Sequence, residues 1–182
     1  MSAFIDALAE YARRHPEEAG AAAEFAELAR AGGADPYRRE RLEGHFTASA
    51  WLVAADGRRA LLTHHRKLDR WLQPGGHADG DRDLAHAALR EAEEESGLRD
   101  LVVEPALFDL DRHWIPERGV EPGHWHHDVR FVVRATGSED FVVGEESHDL
   151  AWRDVADIAV DPASDDSLRR MARKWLARSG SL

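Results

Sequence analysis

The residues best suited to chemistry lie near the middle of the 182-residue chain: Glu91, Glu94 and Glu95, preceded by Arg90 and followed by Gly97. On a helix, where each residue advances 100°, the three glutamates share an arc about 100° wide and Glu93 points away. Ala85, Ala88, Leu89 and Ala92 fill a neighbouring arc of small apolar residues that can pack on a sheet. Like charges held this close repel, and Arg90 is the side chain of the segment placed to offset them. A divalent cation would relieve the repulsion, and clustered hard oxygens suit Mg²⁺ or Mn²⁺. Taken alone, the run Glu93-Glu94-Glu95 is more simply a solvated acidic helix face, and only its surroundings change that balance.

Those surroundings must position the glutamates. Asp83 to Ser96 reads as a helix stopped by Gly97, and the Pro/Gly-rich loop Gln73-Pro74-Gly75-Gly76 precedes it. Strands are expected over Phe46 to Ala55 and Arg59 to Thr63, joined by a turn at Asp56-Gly57. Further strands are expected over 101–110, 128–135, 141–143 and 150–152, and closing helices over 154–158 and 167–178. Residues 2–31 read as a helical hairpin: Ile5, Leu8 and Tyr11 form one stripe and Phe25, Leu28 and Ala29 another. Pro16 suits the first turn of the second helix, and Gly32-Gly33 stops it. Strands on both sides of one central helix predict an α/β (α+β) layered fold with a mixed sheet. We expect a cap over 1–40, a candidate for shaping a substrate cleft, and a main domain over 41–182, the whole forming one globular unit.

The segment from Gly76 to Leu98 resembles the signature of the Nudix hydrolase superfamily: a Gly, five residues, a Glu, seven residues, Arg-Glu, an aliphatic residue, any residue, Glu-Glu, any residue, Gly and an aliphatic residue. Gly76, Arg90, Glu91, Glu94, Glu95, Gly97 and Leu98 match, Ala92 matches loosely, and the lead-in Trp71-Leu72-Gln73-Pro74-Gly75 is similar as well. Six identities at this spacing would arise by chance about once in ten million starts, at roughly 7% usage per residue type. Arg82 stands where the family has the first Glu of the box, with Asp81 and Asp83 on either side as candidate substitutes. That Glu supports the metal site rather than forming its main ligand, so the departure bears on rate and metal affinity more than on fold, losses of this kind costing about 10–100-fold.

The resemblance implies an α/β/α sandwich and a pyrophosphohydrolase with Mg²⁺ or Mn²⁺ as cofactor. Glu91, Glu94, Glu95 and the backbone carbonyl of Gly75 would be the metal ligands. Arg90 would orient a glutamate one helical turn along, and Glu94 or Glu95 would help deprotonate the attacking water. Family members often add an acidic residue from a late loop, for which Glu145 and Glu146 are the candidates; solvated loop residues are the equal alternative. The partner would be a small-molecule diphosphate, either a nucleoside diphosphate derivative (a nucleotide sugar or an ADP-ribose-like molecule) or a nucleoside triphosphate. A homodimer is compatible with the family. Arg82 favours a rival reading, a nucleotide-sensing module of the same fold that does not cleave, whereas three intact glutamates argue for the enzyme. A diphosphate isomerase of this fold would need a catalytic cysteine, and the chain contains none.

The other candidates for substrate contact come from His124-Trp125-His126-His127-Asp128, within a chain holding 11 histidines. If 124–132 is extended, His124 and His126 share a face and could bind a phosphate or a metal, or stack on a base. A polar stretch beside a strand is the simpler reading for either one alone. Trp125, with Trp114, is the candidate aromatic contact, although Trp more often packs a core.

Composition narrows the classes further. With no cysteine, disulfides, thiolate metal sites and cysteine nucleophiles are excluded. A net charge of −11 without a basic stripe argues against a nucleic-acid polymer as partner. No apolar stretch approaches a membrane span, and the N-terminal residues lack the pattern of a signal peptide, so a cytoplasmic protein is expected.

Overall fold

The computed structural model describes residues 3–145 and 147–179. Two helices open the chain, α1 (Ala3–Arg14) and α2 (Ala19–Arg30), joined by a 3₁₀ turn that begins at Pro16. Strands β1 (Gly44–Val53), β2 (Arg59–His65), β3 (Arg70–Leu72) and β4 (Gly75–His77) lead to α3 (Leu84–Ser96). Then come β5 (Leu101–Ile115), β6 (His124–Ala135), β7 (Ser147–Asp154), α4 (Val155–Val160) and α5 (Asp166–Ser179).

All seven strands join one sheet, with the path β3-β2-β1-β6-β5, β4 pairing β1 and β7 pairing β2. The long pairing of β1 with β6, from Gly44↔Trp125 to Val53↔Arg134, is parallel, and every other pairing is antiparallel, so the sheet is mixed as expected. Side chains alternate across a strand. One face of the sheet therefore packs Phe46, Ala48, Val129 and Phe131 against α1, α2 and α3, and Ala50, Leu52 and Val133 against the end of α3. The other face sets Trp51, Val53 and Val132 under α4 and α5. This is the α/β/α sandwich the resemblance implied. Leu8, Tyr11 and Phe25 of the hairpin share a core with Phe46 and Ala88, so the hairpin is packed on the sheet beside α3.

The edge strand β5 is bulged between Leu107 and Asp109, where a buried charge network ties the two helical layers together. Asp109 accepts hydrogen bonds from Arg130 (3.1 Å), Arg170 (2.7 Å) and Lys174 (2.6 Å), and Lys174 also reaches the Tyr11 hydroxyl at 2.6 Å. Burial pushes the Asp109 carboxyl up, but the hydrogen bonds from Arg170 and the charges of Arg130 and Lys174 outweigh it, holding the group below its ordinary value.

Several expected elements differ. Gly75 and Gly76, expected in a loop, belong to strand β4 because they pair with β1, and the strand expected over 150–152 runs from Ser147 to Asp154 through its pairing with β2. Strands β5 and β6 run on to Ile115 and back to His124, well past the expected limits. Residues 141–143 form no strand: the Val142 amide donates to the Ser96 carbonyl at 2.8 Å, so this backbone caps the end of α3 rather than pairing with the sheet.

Candidate metal centre

Helix α3 begins at Asp83, whose carboxylate accepts from the His86 amide, and ends at Gly97 in the left-handed conformation with φ of 67°. Its buried stripe is Leu84, Ala87, Ala88 and Ala92, while Ala85 and Leu89 are only partly covered. This anchoring turns the glutamates toward β4. A Glu95 carboxylate oxygen accepts from the Gly75 amide at 2.7 Å. Glu91 lies so close over Gly76 that a Cβ there would meet its carboxylate, which would have to move aside. Glu94 is exposed. Arg90 was expected to reach one turn along the helix; instead its guanidinium lies 3.1 Å from the adjacent Glu91 and donates to the His77 carbonyl at 3.0 Å. It therefore clamps the helix to β4 from the first residue of the glutamate cluster.

The donor set fits a hard divalent cation. Two carboxylates are folded against the Gly75-Gly76 pair, a third stands beside them in solvent, and the Arg90 guanidinium lies against Glu91. Arg82 turns away from it, donating to Asp35 at 3.1 Å and lying 4.8 Å over the Tyr37 ring. Neither flanking aspartate takes the place of the box glutamate. Asp81 is bound to His86 at 2.7 Å, and Asp83 is spent on the helix cap. Glu145 is exposed in a turn, and Glu146 lies outside the described residues.

The histidines collect on the opposite face of β1 and β6 from α3. The parallel register puts His45 beside His126, and the pairing of β4 with β1 brings His77 to the same end. The His45 ring centroid is 5.2 Å from His77, 5.0 Å from His124 and 4.9 Å from His126, and the Nε2 atoms of His124 and His126 are 3.1 Å apart. His124 is buried. Burial, reinforced by His77, His45 and its other histidine neighbours, pushes His126 down to about 2. Burial, then the nearby charge of Arg39, pushes His77 down to about 4. Below the histidines on this face, Asp128 accepts from Thr47 (3.0 Å), Ser49 (2.8 Å) and Arg130 (2.7 Å).

Trp125 falls on the other face, between His124 and His126 in sequence but under the Arg112 guanidinium at 3.9 Å and edge-on to Trp114 at 5.2 Å. The structure thus brings His124 and His126 together and separates them from Trp125. Sequence reasoning missed His45 altogether and did not join His77 to the pair. The alternation His45-Thr47-Ser49 and His124-His126-Asp128-Arg130 was a visible signal, but the parallel pairing that places these runs side by side was not.

A family model for the NUDIX domain matches residues 44–176, most of the chain, and the chain belongs to that family. It is 30% identical over 139 aligned residues, 70% of its length, to a protein of Mycobacterium tuberculosis named putative 8-oxo-dGTP diphosphatase 3, and it spans 62% of that relative. Among solved structures it resembles an Ap4A hydrolase of C. elegans, with a TM-score of 0.57, 18% identity and coverage of 75% of this chain and 98% of that one. It also resembles a UDP-X diphosphatase, with a TM-score of 0.56, 18% identity and coverage of 90% of this chain and 77% of that one. At these identities the two structures speak for the fold.

Proposed function

We propose that this chain is a Mg²⁺- or Mn²⁺-dependent pyrophosphohydrolase acting on a nucleoside diphosphate derivative or a nucleoside triphosphate in the cytoplasm. The observation that carries the reading is the packing of Glu91 and Glu95 onto Gly75-Gly76, with Glu94 open to solvent beside them. Glu91, Glu94, Glu95 and the Gly75 carbonyl would hold the ion, which when bound neutralises diphosphate oxygens and acidifies a water. Arg90 fixes Glu91 and the backbone of His77 in one arrangement. Glu94 or Glu95 accepts the proton of the attacking water as its oxygen bonds to phosphorus and the bridging P–O bond breaks. A nucleoside diphosphate derivative then yields a nucleoside monophosphate and a phosphorylated remainder. The relative from Mycobacterium tuberculosis supports the substrate class, being named a putative diphosphatase of a nucleoside triphosphate. The net charge of −11 favours such a small molecule over a nucleic-acid polymer. No described helix is long and apolar enough to cross a membrane.

The engagement of Arg82 with Asp35 and Tyr37 favours a second reading, a module that binds a nucleotide without cleaving it. Incubating the protein with Mg²⁺ or Mn²⁺ and a panel of nucleoside triphosphates, nucleotide sugars, ADP-ribose and dinucleoside polyphosphates separates the two. Metal-dependent turnover that is lost in the double variant Glu94→Gln, Glu95→Gln establishes the hydrolase. Measurable nucleotide binding without turnover on any substrate establishes the sensor.

A further inference from the structure

The histidine cluster lies outside the glutamate centre and differs from it in chemistry. One nitrogen each from His45, His77 and His126 lies within 4.8 Å of the others. The protons on these rings can be followed from their partners. His45 Nδ1 is 3.2 Å from the Arg41 carbonyl and His124 Nδ1 is 2.9 Å from the Pro122 carbonyl. A carbonyl only accepts, so in the neutral imidazoles both Nδ1 atoms carry the hydrogen and both Nε2 atoms present a lone pair. His126 Nε2 can satisfy the His124 lone pair by donating across their 3.1 Å contact. His45 Nε2 has no such donor. It is buried, has no hydrogen-bond partner among the described residues, and belongs to a residue only 1% exposed.

A buried acceptor without a donor is costly, and His45 and His124 both turn a lone pair toward the same cluster. An electrophile at their centre would resolve both problems. Imidazole nitrogens prefer borderline transition ions over Mg²⁺, and a ligating histidine commonly donates its other ring N–H to a backbone carbonyl, as His45 and His124 do here. The geometry is near what such an ion needs. Zinc–nitrogen bonds of about 2.0–2.1 Å put tetrahedral ligands about 3.3–3.4 Å apart. The contact between His124 and His126 is already close to that, and drawing in the triad takes about 1.5 Å of side-chain adjustment. Two carboxylates add negative charge nearby: Glu121 lies 4.0 Å from His124 Nε2, and Asp79 neutralises Arg39, the cation next to His77.

We propose that His45, His77 and His126, with His124 as the fourth nitrogen, form a second metal site that takes a single Zn²⁺-class transition ion and is independent of the glutamate centre. Its ligands come from β1, β4 and β6, so the ion would staple three strands of the sheet. Because β4 also carries Gly75 and Gly76, the site abuts the glutamates along three consecutive residues.

The test is Zn²⁺ binding to the full chain, freed of any histidine tag, by equilibrium dialysis and elemental analysis in millimolar Mg²⁺ to occupy the glutamates. One equivalent should bind and remain in the double variant Glu94→Gln, Glu95→Gln. Binding should weaken about a hundredfold or more in His126→Asn and in His77→Ala, as expected when a ligand itself is lost. Circular dichroism confirms that each variant is folded, and His77, only half-buried, is the safer substitution. Imidazole ¹⁵N spectra of the unaltered protein give an answer that needs no variant, since Zn²⁺ should shift the nitrogens of these histidines. Absence of tight binding, binding that disappears with the glutamates, or binding unchanged in folded His77→Ala would overturn the proposal.

Discussion

Two groups of side chains flank the same three residues of β4 and solve opposite problems. On the α3 side, Glu91, Glu94 and Glu95 form a cluster of carboxyl groups that is partly open to water and steadied by Arg90. On the other side, His45, His77, His124 and His126 are largely shielded from water; burial pushes His45, His77 and His126 down, and backbone carbonyls hold His45 and His124. Charge repulsion makes the first group wait for a hard cation; unused lone pairs make the second wait for a softer one. The strand between them alternates its allegiance. Gly76 faces Glu91, while Gly75 and His77 face Ser49 and the histidines.

If the two groups are separate, substitutions on that strand should split them. The largest effect is expected at Gly76→Ala, where the new methyl must displace the Glu91 carboxylate. Hydrolysis with Mg²⁺ should fall about 10–100-fold, the scale of disturbing how a ligand is held, while Zn²⁺ retention in dialysis stays unchanged. A parallel loss of Zn²⁺ would mean the groups act as one centre. The residue that joins them is Arg90, so Arg90→Met should reduce hydrolysis about tenfold and also weaken Zn²⁺ measurably, because both Glu91 and the His77 backbone lose their tether. An effect confined to hydrolysis would show that His77 is held by strand pairing alone. The smallest effect belongs to Arg82→Glu, which restores the family residue. Turnover should rise by no more than about tenfold. Thermal unfolding should show a cost below about 1 kcal/mol, because the contact with Asp35 is an exposed ion pair.

The glutamate centre was legible in the chain because a helix writes its geometry locally: residues three and four apart share a face whatever surrounds them. Asp83 and Gly97 marked the ends of α3. The partner of Arg90 was misjudged because helical spacing alone ignores β4, which offers the His77 carbonyl within reach. The extra length of β5 and β6 was missed for a related reason. Their ends are rich in His, Trp and charged residues, poor signals of a strand until pairing with each other and with β1 supplies hydrogen bonds.

The amino-acid order by itself determined the helix with its three glutamates, the sheet-forming runs and the absence of any thiol chemistry, since each follows from neighbours within a few residues. Only the tertiary structure decided that Arg82 turns to Asp35 and Tyr37, that Trp125 parts from the histidines beside it, and that His45, His77, His124 and His126 share one pocket of the sheet. Those histidines lie on three strands up to about eighty positions apart. What unites them is the parallel register of β1 on β6 and the return of β4, contacts set by packing across the whole domain and written in no local spacing.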